Sequence, residues 1–284
     1  MRVLLAGATG YLGSHIATRL GEEGHTLRVL VRNQAKWQNL QIPADEICVA
    51  EITDAKSLRG CCTGMDAVIS TVGITRQKDH LTYLDVDYRG NLNLLREAQK
   101  SGVRRFIYIF VAFSERMRQL KIIQAKALFV EELVKSGLGY CVVKPNGFFP
   151  DMAEFLQMAK RGTVYMLGKG TNKINPIDGR DLATLCVEAL GDSRQEITVG
   201  GPEVLTYRQI GDIAFRVLDR PPRIRSIPFP SWLKRGVLNF MRVCTPVRIY
   251  GPVEFMLTTL SMDMVAPSFG HHTLEEYFRR QTVN

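Results

Sequence analysis

The sequence predicts an α/β fold: a doubly wound parallel sheet over residues 1–145, then a smaller C-terminal lobe over 146–284 from which some segments return to the sheet. Three observations predict it. Short β-branched runs alternate with helical patterns through the first 145 residues. Several of those runs, such as Val3-Leu4-Leu5-Ala6, are continuously apolar, as strands buried on both faces are. A glycine-rich turn at residue 7 lies between the first run and an amphipathic helical pattern.

Taken in order, the expected strands cover residues 2–6, 26–31, 46–49, 67–71, 105–110 and 140–144. Helical patterns fall between them at 12–23, 55–59, 83–101 and 117–136. Two of these helices end at Ser101-Gly102 and Ser136-Gly137, where glycine takes the left-handed conformation that closes a helix. Past Pro145 the pattern is less regular. A strand at 196–199, a helix at 207–218 and the turn Arg220-Pro221-Pro222 mark the lobe.

Composition excludes several classes. The chain has 284 residues, 45% hydrophobic and 23% charged, which rules out disorder, collagen-like repeats and a disulfide miniprotein. No apolar run approaches the roughly 18–20 residues needed to cross a bilayer. The start, Met1-Arg2-Val3-Leu4-Leu5-Ala6, runs directly into the glycine turn and does not read as a signal peptide. The 6 cysteines show no Cys-x-x-Cys spacing, so reduced thiols in a cytoplasmic compartment are expected.

Net charge is +9, and most of it is local. Arg220, Arg223, Arg225, Lys234, Arg235, Arg242 and Arg248 face one acidic residue, Asp219, within residues 219–250. That distribution argues for a local anionic contact and against a nucleic-acid binder, whose zinc-finger, helix-turn-helix or RNA-recognition patterns are also missing.

Gly7-Ala8-Thr9-Gly10-Tyr11-Leu12-Gly13 carries the chemistry. Gly7 allows the tight turn, Gly10 lets backbone approach a pyrophosphate, and Gly13 lets the helix lie close to the strand. The helix N-terminus adds N–H donors for the phosphates. Placed between a strand and a helix, the turn predicts a bound dinucleotide. The end of the second strand selects which one. An NAD site places a carboxylate there to hold the ribose 2′-hydroxyl, but this chain reads Val31-Arg32-Asn33 with Lys36 following, and no Asp or Glu occurs between Glu23 and Asp45. Arg32 suits a 2′-phosphate, so NADP(H) is the expected cofactor.

These segments, with Asp87-Tyr88-Arg89-Gly90-Asn91, Gly102-Val103-Arg104-Arg105-Phe106 and Lys144-Pro145-Asn146-Gly147-Phe148-Phe149, resemble the atypical short-chain dehydrogenase/reductases of the NmrA-like, extended group. The resemblance implies a Rossmann-type domain and a substrate lobe. Ile174-Asn175-Pro176-Ile177, Gly200-Gly201-Pro202 and Phe269-Gly270-His271-His272-Thr273-Leu274 are similar to segments of divinyl chlorophyllide reductases and their relatives.

Against the family's catalytic Tyr-x-x-x-Lys pattern, Lys126 supplies the lysine but Ile122 stands where the tyrosine belongs. Tyr140 with Lys144 lies on a strand and Tyr165 with Lys169 in a glycine-bearing loop, so both match the string without its helix. Phe110 occupies the usual serine place, with Ser114 nearby, and Asp87 occupies the place of the tetrad asparagine. The resemblance implies that Lys126 holds the nicotinamide ribose and, with Asp87, forms what is left of the catalytic group. By position it also assigns Glu51 and Ile52 to the adenine, Thr71, Val72 and Gly73 to the phosphates and ribose, and Pro145 and Phe148 to the nicotinamide. Phe148, Phe149 and Met152 would form an apolar wall for a small-molecule substrate, although a Phe-Phe pair also suits a core.

His80, His271 and His272 have no recognisable carboxylate partner or third ligand, so no metal is expected. Residues 231–248 mix basic and bulky apolar residues at helical spacing. They suit either a peripheral contact with an anionic membrane or a lobe helix packed on its own domain. Two functions fit: an NADPH-dependent reductase of a small, apolar or conjugated molecule, with its proton from water, Tyr83 or Ser114, or a non-catalytic NADP(H)-binding sensor or assembly factor. An epimerase or dehydratase suffers from the missing tyrosine.

Overall fold

A computed structural model describes residues 1–74 and 81–283, apart from the side chains of Ser231, Lys234 and Val283. His80 and the Lys234 side chain therefore lie outside the described residues. The chain divides into two compact units. The first comprises 1–144 and 182–197, the second 145–181 and 198–284.

In the first unit β1 (Arg2–Ala6), α1 (Tyr11–Glu22), β2 (Thr26–Val31), α2 (Gln34–Gln38), β3 (Glu46–Val49) and β4 (Ala67–Ser70) follow one another. Then come α3 (Asn91–Lys100), β5 (Arg105–Ile109), α4 (Lys121–Lys135) and β6 (Gly139–Pro145). The remaining elements are α5 (Ala153–Lys160), β7 (Val164–Leu167), β8 (Lys173–Ile174), α6 (Gly179–Glu188) and β9 (Glu196–Val199). After them run β10 (Leu205–Thr206), α7 (Tyr207–Val217), β11 (Ile224–Ile227), α8 (Ser231–Cys244), α9 (Val247–Thr259) and α10 (Leu274–Val283).

The main sheet has seven strands in the order β3-β2-β1-β4-β5-β6-β9. Strands β1 to β6 pair in parallel throughout, with Leu4 opposite Arg28 and Val68, and Ile107 opposite Ile69 and Cys141. The chain order reverses beside β1, so that β1 and β4 lie together, and such a switch point opens a ligand crevice at the strands' carboxyl ends. Val3, Leu4, Leu5, Val68, Ile69 and Phe106 are fully buried, which is what their unbroken apolar runs demand. Gly102 and Gly137 have φ of +72° and +77°, the left-handed closures that their Ser-Gly pairs predict.

Three expectations need correction. Residues 55–59 form successive tight turns, not a helix, because Asp54 diverts the local donors: its carboxylate accepts Lys56 N–H at 2.9 Å and its carbonyl accepts Ser57 N–H at 3.1 Å. The helix expected over 83–101 begins as a π-helical turn, Leu84–Gly90, before α3. Asn91 explains it, since its side-chain amide donates to the carbonyls of Val86 and Asp87, at 3.3 and 3.1 Å, inside that widened turn. Tyr165 stands on β7, which pairs with β11, and not in a loop.

In the second unit β7 and β11 form a parallel pair and β8 and β10 an antiparallel one. A buried amide hub ties its segments together. Asn146 Nδ2 donates to Asn175 Oδ1 at 2.7 Å and also to the carbonyl of Met264. Asn175 Nδ2 donates to the carbonyls of Gly201 (3.1 Å) and Ala266 (2.8 Å), while its Oδ1 accepts Ala266 N–H at 3.0 Å. Beside it, Asp178 pairs with Arg180 at 2.9 Å and Arg280 at 3.3 Å.

Candidate functional site

The glycine turn is built to receive backbone-close ligands. Gly7 sits at φ +84°, and a Cβ there would meet Thr71 Oγ1 at 2.4 Å, so the carboxyl end of β4 can come against the turn only because residue 7 has no side chain. A Cβ on Gly13 would strike the Gly7 carbonyl oxygen at 2.2 Å. Gly10 N–H donates to Gly7 O at 2.9 Å and closes the turn. Helix α1 then opens with no side-chain cap and no acid in its first turn, which leaves its N–H donors and positive dipole end for an anion. Thr9 and Tyr11 are half-buried at its mouth, whereas Leu12 is buried beneath it. These features fit a dinucleotide pyrophosphate.

At the end of β2, Arg32 is exposed and Asn33 caps α2, accepting Lys36 N–H at 3.0 Å. The structure adds a partner that local sequence does not reveal. Glu51, just past the end of β3, lies 3.7 Å from Arg32, so a carboxylate does stand at the end of β2, brought from 19 residues downstream. Ile52 is buried and lies against Gly90, where an added Cβ would meet it at 3.0 Å.

Lys126 is the centre of the second feature. The buried face of α4 carries Ile122, Ile123, Ala125, Lys126 and Phe129. A lysine among such residues needs partners. Asp87, fully buried in the π-helical turn, lies 3.0 Å from its Nζ, and the Tyr108 hydroxyl from β5 lies 3.3 Å away. Asp87 Oδ2 also accepts Ile74 N–H at 3.3 Å. Burial alone would push the Lys126 ammonium down, but the Tyr108 and Asp87 oxygens outweigh it and raise its pKa, so it stays charged. Burial pushes the Asp87 carboxyl up and the Lys126 charge opposes that shift. Burial likewise lifts the Tyr108 phenol to about 12. A neutral phenol beside an ion pair is the arrangement these groups favour.

Above this cluster stands Gly73, just past the end of β4. A Cβ at residue 73 would come within 2.7 Å of both Asp87 Oδ1 and Lys126 Nζ. The exposed glycine thus lays its backbone directly over the buried ammonium and carboxylate, at the carboxyl ends of the strands, where such sheets bind ligands. Behind it, Ser70 Oγ donates to Asn91 Oδ1 at 2.6 Å, and Asn91 Nδ2 reaches the Val72 carbonyl at 3.3 Å, which fixes the backbone of Val72 and Gly73.

Tyr108 is the member that sequence reasoning missed. It lies in a run of core residues, Phe106-Ile107-Tyr108-Ile109, and was expected only as strand. The available signal was its hydroxyl, because a tyrosine in a doubly buried strand must find a partner. Period two puts it on the same face as Phe106, and both rings meet Phe129 of α4, at 4.5 and 5.8 Å. Tyr83 and Ser114, the expected alternative proton donors, are both buried. Lys144 is engaged by Glu196 at 2.6 Å, in keeping with a coincidental Tyr140–Lys144 match.

In the second unit Pro145 and Phe149 are buried, the Phe149 ring 5.6 Å from that of Tyr277, and Phe148 is half-buried. Met152 is buried as well. His271 and His272 do meet a carboxylate, that of Asp181, 90 residues upstream. Its Oδ2 accepts both of their backbone N–H groups, at 3.1 and 3.0 Å, and Oδ1 lies 2.7 Å from His272 Nδ1. Those bonds account for the cluster as an anchor of the 270–272 turn. A separate cavity of about 250 Å³ lies between Lys56 and Arg59 on one side and Arg96 and Lys100 of α3 on the other, away from Lys126.

With this geometry in view, known proteins give a consistent comparison. The chain is 25% identical to the chloroplastic divinyl chlorophyllide a 8-vinyl-reductase of Zea mays, over 98% of this chain and 78% of that protein. It is 27% identical to the photosystem II assembly factor Ycf39 of Synechocystis, over 86% of this chain and 74% of that one. Among solved structures, the NADPH-dependent quinone oxidoreductase QOR2 of Escherichia coli in complex with NADPH has the same fold. Its TM-score is 0.77 at 15% identity, covering 99% of each chain. Among the described residues no helix is long and apolar enough to cross a membrane. A sequence model described as NAD(P)H-binding matches residues 7–193, from the first glycine of the turn, through Lys126, nearly to the end of the first unit. The chain belongs to this NAD(P)H-binding family.

Proposed function

We propose that the protein is an NADPH-dependent reductase of a small, largely apolar or conjugated molecule. The observation that carries the reading is the Asp87–Lys126–Tyr108 cluster directly beneath Gly73: a charged lysine kept buried and paired, under a glycine where no Cβ fits. Lys126 would hold the nicotinamide ribose hydroxyls and lend positive charge to the reacting centre. Asp87 and Tyr108 fix its Nζ in place. When bound, NADPH supplies a hydride, which with one proton from water saturates a C=C bond of the substrate and leaves NADP+. Phe148, half-buried, is assigned to the substrate's apolar contact, with the buried Phe149 and Met152 as the wall behind it. The vinyl-reductase relatives make a conjugated vinyl group on a tetrapyrrole the first substrate to try.

The second reading, a cofactor-binding assembly factor, is favoured by Ile122 in the tyrosine's place and by a Tyr108 too deeply buried to meet a substrate. Loss of NADPH absorbance in the presence of divinyl tetrapyrroles, quinones and enones separates the two. The reductase reading expects turnover with at least one class, and expects Gly73→Ala to lower the rate at saturating NADPH by about tenfold, some 1.4 kcal/mol. Tight NADPH binding with no oxidation of any class would favour the assembly factor.

A further inference from the structure

Helix α8 carries Trp232, Gly236, Phe240 and Val243 along one line, spaced by four, four and three residues. All three large side chains are exposed: Trp232 at 70%, Phe240 at 68% and Val243 at 86%. Between them, a Cβ on Gly236 would meet no atom within 4 Å, so this face looks onto open space. The opposite side is the one that packs, with Leu238 buried and Arg242 paired to Glu254 of α9. Of the two readings open for this segment, a lobe helix packed on its own domain accounts for Leu238 and leaves the Trp232–Phe240–Val243 face unexplained.

Cations border that face. Arg235 is exposed with no ion-pair partner among the described residues, and Arg225 on β11 and Arg223 just before that strand are exposed as well. Residues 219–250 carry seven basic side chains against the single acid Asp219. At 14 residues, α8 spans about 21 Å and cannot cross a bilayer. A short helix with an aromatic, apolar face and flanking arginines has the form that lies in the plane of a lipid interface, rings at the headgroup boundary and cations on the phosphates. A second copy of this chain is disfavoured as the occupant, because a symmetric contact would bring two sets of arginines together.

We propose that α8 seats the protein on an anionic bilayer surface through Trp232, Phe240 and Val243. The proposal is independent of whether the protein reduces anything. Trp37, the other tryptophan, is buried in the first unit, so a change in tryptophan emission on adding vesicles reports Trp232.

The test uses the full-length protein with vesicles of phosphatidylcholine alone or mixed with phosphatidylglycerol. Co-sedimentation and a blue shift are expected with the anionic vesicles at low salt, weakening by about tenfold or more at high salt as the charges are screened. Trp232→Ser with Phe240→Ser, both at exposed positions, should abolish binding without changing NADPH affinity, and Arg235→Glu should weaken it. No sedimentation at low salt would overturn the proposal, as would binding that the double variant leaves intact. A dimer that only the wild type forms would overturn it too, in favour of a second copy on this face.

Discussion

Two buried polar clusters, one in each unit, put hydrogen-bonding groups to opposite uses. In the second unit Asn175 spends both ends of its amide on Asn146 and on the backbone of Gly201 and Ala266. In the first, Lys126, Asp87 and Tyr108 spend theirs mainly on one another, with the backbone of Gly73 lying directly over the charged atoms. A buried group bonded to distant backbone holds the chain. Charged groups bonded chiefly to each other leave the chain's distant segments unbound, and their charge is what a ligand at the strand ends would meet. The difference separates scaffold from site where burial alone does not.

The largest effect should come from breaking the ion pair. Lys126→Met leaves the Asp87 carboxylate buried without a counter-charge, a loss of about 3–5 kcal/mol. Adding Asp87→Asn should recover much of that stability while cofactor binding stays impaired. Denaturant titration and NADPH titration measure the two quantities separately. If the double variant is no more stable than Lys126→Met alone, the pair is not ionic.

Asn175→Ala should come next, at about 2–4 kcal/mol, because it strands several buried backbone groups. Thermal unfolding should show the loss, and NADPH affinity measured on folded protein should not change. A fall in affinity as large as the fall in stability would erase the distinction between the two clusters.

Acid should act on the second unit through Asp178, a smaller effect. Burial pushes its carboxyl up, but the hydrogen bonds and charge of Arg180 outweigh this and hold the pKa below the usual carboxylate value. A carboxyl whose folded pKa lies below its unfolded value of about 3.9 stabilises fully above that value, and the contribution vanishes as pH falls through the folded pKa. Stability should therefore drop on acidification below about pH 4, and Asp178→Asn should flatten that part of the profile. An unchanged acid limb in the variant would show that other carboxyls carry it.

How much of this was legible in the sequence follows the same division. The phosphate turn is a contiguous string whose spacing states its geometry, and Lys126 is readable from its place on α4. Tyr108 was hidden because its neighbours made it look like core, and Asp87 only becomes Lys126's partner through the π-helical turn that Asn91 holds open. The Asn146–Asn175 hub joins residues 29 positions apart and recruits backbone 91 positions away, which no local pattern encodes. The turns at 55–59 depart from helical spacing for a nearer reason: the Asp54 side chain competes locally for the backbone donors that a helix would use.

The smallest expected effect tests the one place where sequence and structure pull against each other. A carboxylate-free strand end favours NADP(H), yet the fold brings Glu51 to 3.7 Å from Arg32. Both side chains are well exposed, so the pair itself is worth about 0.2–1 kcal/mol. A 2′-phosphate would offer Arg32 a second anion but would also meet the Glu51 charge. Glu51→Gln should therefore tighten NADPH binding by a few-fold, within that range, while leaving NADH nearly unchanged. Arg32→Ala should remove most of a tenfold NADPH preference, about 1.4 kcal/mol. If the unaltered protein binds the two cofactors equally and Glu51→Gln creates the preference, then Glu51 offsets Arg32 and the fold, not the strand-end sequence, sets the choice.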